Sequence, residues 1–359
     1  MPTTTLQNVA IRGIVTALPG KAIDIRELPS TFSEPELEKV AQGVGLGRVY
    51  RVPAGQTAGD LCIAAAERLL EKLGWERDSI DGIILVTQTP DHALPATACI
   101  AQNRLGLGTH ALAFDVSMGC SGYVYGLFVS SSFVANQSCK RFILLAGDAI
   151  SPTLSSEDKS VAVLFGDAGS ATALEFEEGA APLSFILGTD GAGAMNLCIP
   201  AGAGREPYSS TTANMQEDGD GNRRSRQNLY MDGFSIMNFT LQRVPALVRS
   251  ALEMQGWTME EVDLFLFHQA NGFILKNLVK RMKLPQEHVP INIAEYGNTS
   301  LTSIPLLLTD MASSLTSGTQ RKVALFGFGV GYSWASMTTV LPPLKVMESF
   351  SVDAEGKAL

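Results

Sequence analysis

The sequence predicts an α/β protein built from two similar halves, each a set of buried strands alternating with helices. Three observations carry this. Residues 64–86, AAAERLLEKLGWERDSIDGIILV, align without a gap on residues 246–268, ALVRSALEMQGWTMEEVDLFLFH; Ala64, Leu70, Glu71, Gly74, Trp75 and Asp81 recur as Ala246, Leu252, Glu253, Gly256, Trp257 and Asp263. Self-similarity of this length marks a duplicated structural unit. The strand candidates FILLAG (142–147), LFLF (264–267) and KVALFGFG (322–329) are continuous apolar runs, the pattern of parallel strands covered on both faces. Finally, 359 residues that are 45% apolar and 18% charged suffice for two core-sized units and exclude a disordered or collagen-like chain.

Taken in order, each repeat reads as an amphipathic helix stopped at Gly74 or Gly256, an acidic turn and an apolar strand. In the first half, a strand over ALAFDV (111–116) leads to Gly119-Cys120, a small-residue helix over 121–136 and the strand 142–147. In the second, a strand over INIAEY (291–296) leads to Gly297-Asn298, a helix over 299–315 and the strand 322–329. The expected division is 1–178, carrying Cys120, and 179–359, carrying His268 and Asn298. Residues 201–228, AGAGREPYSSTTANMQEDGDGNRRSRQN, hold few apolar side chains and many turn formers. They read as a long surface loop or as a lid over a site.

Composition also removes function classes. The net charge is −9 and no basic cluster exists to track a phosphate backbone, so nucleic acid is not an expected partner. No apolar run reaches the roughly 18 residues of a membrane span, and the first 20 residues lack the pattern of a secretory signal, so a cytoplasmic location is expected. The five cysteines, Cys62, Cys99, Cys120, Cys139 and Cys198, are odd in number and scattered, which fits reduced thiols. Neither they nor the four histidines have metal-ligand spacing, and no metal site is expected. No dinucleotide fingerprint or Walker loop occurs.

Three residues could carry chemistry. Cys120 lies where a strand turns into a helix, and a helix N-terminus lowers a thiol's pKa and favours thiolate. A cysteine in an apolar context is, taken alone, more often a small core residue. His268, opening His-Gln-Ala-Asn-Gly, follows a buried strand at the carboxyl end where α/β sites are built, or is a satisfied core histidine. Asn298 holds in the second half the place of Cys120 in the first, as a functional amide or a plain helix cap. The repeat brings the two helix starts near one another. A thiolate nucleophile with a neutral imidazole and a carboxamide suits thioester chemistry, and the glycine-rich run Phe326 to Gly331 is either a structural turn or backbone for an oxyanion hole.

Four segments in order, Gly-Cys-Ser-Gly-Tyr-x-Tyr (119–125), His-Gln-Ala-Asn (268–271), Tyr-Gly-Asn-Thr-Ser (296–300) and Phe-Gly-Val-Gly-Tyr-Ser-Trp (328–334), make the chain resemble the β-ketoacyl-acyl-carrier-protein synthase III family of the thiolase superfamily. The resemblance spans nearly the whole chain. It implies a five-layer αβαβα thiolase-like sandwich of two pseudo-symmetric halves, a homodimer, an acyl carrier protein as partner, and no cofactor beyond acyl-CoA or acyl-carrier and malonyl thioesters. Cys120 would take an acyl group, while His268 and Asn298 hold a malonyl thioester through loss of CO2. The backbone of Cys120 and Val330 would form the oxyanion hole, with Phe328 beside the decarboxylation site. The family usually has Gly at the position of Val330, so a changed pocket wall is expected.

Further departures bear on the substrate. The Trp and Arg that hold coenzyme A in the family are missing around Glu36 to Gly43, the Arg expected near Pro152 is absent, and Phe234 replaces an Asn that contacts pantetheine, although Asn271 remains. A donor presented on a carrier protein, or bound in a different pose, is therefore expected. Leu94 stands where the family often has a Phe capping the partner's acyl pocket, which implies a primer longer than acetyl. Two rival readings are acyl transfer to an oxygen or nitrogen nucleophile without condensation and a noncatalytic partner subunit; retention of His268 with Asn298 speaks against the first and Cys120 against the second.

Overall fold

A computed structural model of the chain describes residues 2–359. The strands of its two large sheets are, in chain order, β1 (Thr3–Leu6), β2 (Val9–Pro19), β3 (Gly82–Val86), β4 (Leu112–Val116), β5 (Arg141–Asp148), β6 (Ala168–Phe176), β7 (Leu183–Thr189), β8 (Leu264–Phe267), β9 (Arg321–Gly329), β10 (Ser333–Leu341) and β11 (Val346–Val352). The helices are α1 (Glu34–Val44), α2 (Ala58–Leu73), α3 (Thr97–Arg104), α4 (Gly122–Ala135), α5 (Gly233–Gln255), α6 (Gly272–Met282), α7 (Ile293–Tyr296), α8 (Ser303–Asp310) and α9 (Ala312–Leu315). One sheet runs β11-β2-β6-β5-β3-β4 and the other β1-β7-β10-β9-β8.

The residues that recur between the halves have structural work to do. Both repeat helices, α2 and α5, end on a left-handed glycine, Gly74 at φ 64° and Gly256 at φ 66°. The Asp81 carboxylate accepts from the N–H groups of Lys140 and Arg141 at the start of β5, and Asp263 accepts from Lys322 at the start of β9. Arg141 lies over the Trp75 ring at 4.6 Å, and the Lys322 ammonium over Trp257 at 5.2 Å. The repeated Trp and Asp therefore pin a helix–strand unit to the next strand twice in one chain.

Period-two burial assembles the layers. Ile84 and Val86 of β3, with Leu264 and Leu266 of β8, join a central core shared by Val124, Leu127, Ile304 and Leu308 of α4 and α8. The alternate residues face outward: Ile83 and Leu85 pack with α2, and Phe265 and Phe267 pack with α5 and α6. The result is helix, sheet, helix pair, sheet, helix, the five-layer thiolase-like sandwich.

Three details differ from expectation. The sheets are mixed: β3 is parallel to β4 and β5, but β6 runs antiparallel to both β5 and β2. Full burial on both faces produces the same continuous apolar runs whatever the strand direction. Residues 291–296 form no strand but hold the short helix α7; Tyr296 stacks on Tyr50 at 6.0 Å and donates to Asp310 at 2.7 Å, which fixes the turn. The chain also crosses the division at 178/179. β1 pairs with β7 in the second sheet, and β11 pairs with β2 in the first.

Candidate active site

Cys120 sits in the turn between β4 and α4, whose N-cap is Ser121. The turn is tight: the Gly122 N–H donates to the Gly119 carbonyl at 2.6 Å, and a Cβ on Gly119 would fall 2.2 Å from Val330 Cγ1 and 2.5 Å from Gln88 Oε1. The Cys120 side chain is 6% exposed. Burial pushes its thiol up to about 11, against the opposing pull of the N–H groups of Val330 and Cys120 and the Ser300 hydroxyl. The thiolate expected from the helix N-terminus is thus corrected to a resting thiol, because desolvation outweighs the dipole. The same two N–H groups at the sulfur are the pair expected to bind an oxyanion.

His268 follows β8 directly, and its N–H donates to the Phe326 carbonyl of neighbouring β9 at 2.8 Å. Its ring is held on one side by the Ser303 hydroxyl, 2.7 Å from Nδ1, and stands edge-on to Phe328 with centroids 5.6 Å apart. Burial lowers its pKa from the ordinary 6.5 to about 3, so the imidazole is neutral. Asn298 accepts at Oδ1 from the Ser300 N–H at 2.9 Å, and its Nδ2 donates to the Ala270 carbonyl at 3.4 Å. An amide nitrogen has two hydrogens. The second is left for a ligand oxygen.

Cys120, His268, Asn298, Asn271 and Phe328 line one cavity of about 70 Å³, completed mainly by apolar side chains including Leu164, Leu197, Met231, Ile236 and Ile274. Asn271 is bound into the fold as the N-cap of α6, accepting from Phe273 and Ile274. Leu94 and Phe234 are not in the lining; they are 83% and 69% exposed. The Val330 side chain turns toward Gly119 and not into the cavity, so the wall change expected from it is not observed. Residues 201–228 contribute nothing to the lining. They carry a hairpin, Gln216–Glu217 with Arg223–Arg224, fastened by the Arg224 guanidinium to buried Asp158 at 2.7 Å.

Sequence reasoning missed four residues around Cys120 and His268: Gln88, Asp148, Ser300 and Ser303. Ser300 Oγ lies 3.9 Å from Cys120 Sγ, and Ser303 supports His268. Ser300 and Ser303 follow Asn298 closely, but small residues at a helix start carry no signal of their own. Gln88 follows a buried strand and Asp148 ends one, close to the placement that singled out His268. Chemically, the cavity joins a sulfur nucleophile, two backbone donors at that sulfur, and a neutral imidazole and carboxamide able to hold a thioester oxygen without adding a charge.

Comparison with known proteins gives the chain its family. Residues 114–195 match the family described as 3-oxoacyl-[acyl-carrier-protein (ACP)] synthase III, and residues 252–341 match its C-terminal region. The chain is 34% identical over 333 residues to β-ketoacyl-[acyl-carrier-protein] synthase III 2 of Streptomyces coelicolor, covering 92% of this chain and 93% of that protein. It is also 34% identical over 330 residues to a β-ketoacyl-[acyl-carrier-protein] synthase III of Caldanaerobacter subterraneus, covering 91% and 96%. Among solved structures, a 3-oxoacyl-(acyl-carrier protein) synthase of Burkholderia xenovorans superposes with a TM-score of 0.92 at 42% identity, covering 98% of this chain and 99% of that one. Similarity that runs through both halves and spans more than nine-tenths of the chain and of its relatives places the chain in the 3-oxoacyl-[acyl-carrier-protein] synthase III family.

Proposed function

We propose that the protein is a β-ketoacyl synthase that forms a carbon–carbon bond by decarboxylative Claisen condensation in two half-reactions. In the first, Cys120 Sγ attacks an acyl thioester; the acyl–Sγ bond forms, the donor's carbon–sulfur bond breaks, and the thiol proton leaves with the departing thiol. In the second, Nε2 of His268 and Nδ2 of Asn298 donate to the thioester oxygen of a malonyl unit. CO2 departs, the carbanion attacks the acyl carbon, and Cys120 is released. The N–H groups of Cys120 and Val330 hold the oxyanion of both tetrahedral intermediates. No prosthetic group is needed. The observation that carries this reading is the convergence of Cys120, His268 and Asn298 on one narrow cavity, with the imidazole kept neutral by burial.

An acyl carrier protein is the proposed donor of at least one substrate. Helix α6, whose N-terminus lines the cavity, bears Lys276, Lys280 and Arg281 and is followed by Lys283. A local basic face on a chain of net charge −9 suits an acidic carrier. A homodimer is supported by β4, an edge strand with no partner on its outer side among the described residues, flanked by half-buried Phe114, Phe128 and Val129. Exposed Leu94 is then available to cap the other subunit's acyl pocket, leaving room for a primer longer than acetyl. Among the described residues no helix is long and apolar enough to cross a membrane.

The experiment is intact-protein mass spectrometry with a panel of acyl-CoA and acyl-carrier thioesters, followed by malonyl-carrier protein. Expected is an acyl adduct on Cys120 that is discharged as a ketoacyl product. Cys120→Ala should not load, and His268→Ala or Asn298→Ala should load but not discharge. Loading that malonyl-carrier protein cannot discharge would shift the function to heteroatom acyl transfer; no loading from any donor would make the chain a noncatalytic subunit.

A further inference from the structure

Behind Cys120 runs a buried polar chain that the two half-reactions do not use. Asp148, the last residue of β5, is fully buried and has no ion-pair partner among the described residues. A carboxylate is costly to bury unless donors surround it. Here Oδ1 accepts from the Thr87 hydroxyl at 3.1 Å, the Gln88 N–H at 2.7 Å and the Thr89 hydroxyl at 3.4 Å, and Oδ2 accepts from Gln88 Nε2 at 2.9 Å. The same Gln88 nitrogen lies 3.3 Å from Ser300 Oγ. Ser300 Oγ in turn is 3.9 Å from Cys120 Sγ, while its backbone N–H holds Asn298. Ser300 adopts φ 52°, a left-handed conformation uncommon for a residue with a side chain, and such outliers mark sites where a precise placement matters.

We propose that Asp148 and Gln88 are positioning residues of the acyl-transfer site: the carboxylate fixes the Gln88 amide, the amide fixes Ser300, and the Ser300 hydroxyl donates to the Cys120 sulfur as it becomes anionic. The inference rests on Cys120 being the acyl acceptor. Because Ser300 Oγ accepts from Gln88, its own proton is available to the two acceptors it faces, the Asp148 carboxylate and the Cys120 sulfur, and it turns to the sulfur when that atom becomes anionic. During loading the negative charge on sulfur is transient, lasting until the acyl–sulfur bond has formed. A hydroxyl held in advance stabilises it without reorganisation.

The two ends of the chain act on the sulfur with opposite sign. The Ser300 hydroxyl favours the anion, whereas Asp148, whose own pKa is raised by burial, opposes it in its ionised form. The other titratable groups nearby are His268, which is neutral, and the Cys62 thiol of α2, pushed up to about 12 by burial with Asp148 and Asp91 adding to the shift. None supplies a cation. Burial holds the thiol protonated at rest with Asp148 adding to it, and Ser300 eases its ionisation when an acyl donor arrives.

The test is the pH dependence of Cys120 alkylation by iodoacetamide, localised by peptide mass spectrometry, in the wild-type protein, Ser300→Ala and Asp148→Asn. Expected is that the pH needed for a given alkylation rate rises in Ser300→Ala and falls in Asp148→Asn, each by about one unit, or about tenfold in thiolate at fixed pH. General loosening of the fold would move both variants in the same direction. A same-direction shift, or an unmoved profile in either variant, overturns the proposal. If Asp148→Asn does not fold, Gln88→Met cuts the link between the carboxylate and Ser300; a rise supports the proposal and an unmoved profile overturns it. Alkylation needs no substrate, so a wild-type protein that fails to load from acyl thioesters would refute the condensing reading while leaving this readout intact.

Discussion

Burial, more than any single partner, sets the chemistry of His268. Its folded-state pKa lies near 3 against 6.5 for an unburied imidazole, so on acidification the unfolded chain takes up the proton first. The stability this provides is complete above about pH 6.5 and is lost progressively as the pH falls toward 3. Scanning calorimetry should show Tm falling less between pH 7 and pH 5 in His268→Gln than in the wild-type protein; equal falls would mean that other groups dominate acid unfolding. The meeting of Cys120, His268 and Asn298 at one cavity was legible in the sequence because each follows a strand or opens a helix in a repeated unit. Their protonation states were not, since a helix N-terminus predicted thiolate at Cys120 and burial raised the thiol instead.

Two elements around the site make separate predictions. At the end of β9, a Cβ on Gly329 would lie 2.7 Å from Cys120 Cβ and 2.8 Å from Sγ. Gly329→Ala must therefore displace the nucleophile, and acyl loading should fall by about 100-fold in single-turnover assays. Loading at the wild-type rate would show that the turn has slack. The segment 201–228 should behave oppositely. Arg224 pairs with the fully buried Asp158 and with Asp218, so Arg224→Met strands a buried carboxylate and should cost about 3 kcal/mol by denaturant titration. Loading should be unchanged, because the segment does not line the cavity. Composition identified this segment as irregular and favoured a surface loop over a lid without deciding it, since the choice depends on ion pairs with residues about 65 positions earlier.

At the scale of the whole molecule, the termini hold the halves together. β11 adds to β2 in parallel, and Val346 Cβ lies 2.9 Å from where a Cβ on Gly13 would stand. A chain ending at Pro343 should lose its near-UV circular dichroism and its cooperative melt, because β2 becomes an uncovered edge; a melt near the wild-type Tm would show that β11 is dispensable. The sequence by itself determined the duplicated α/β plan, the five layers through the resemblance it carries, and Cys120, His268 and Asn298 as the residues to watch. Those follow from local periodicity and from motifs read within short windows. Only the tertiary structure decided the crossing of β1 and β11 between the sheets, the helix at 293–296 in place of a strand, the turning of Val330 away from the cavity, and the buried chain from Asp148 through Gln88 and Ser300 to Cys120. Each of these depends on groups distant in sequence meeting in the folded chain, and local sequence patterns do not encode those meetings.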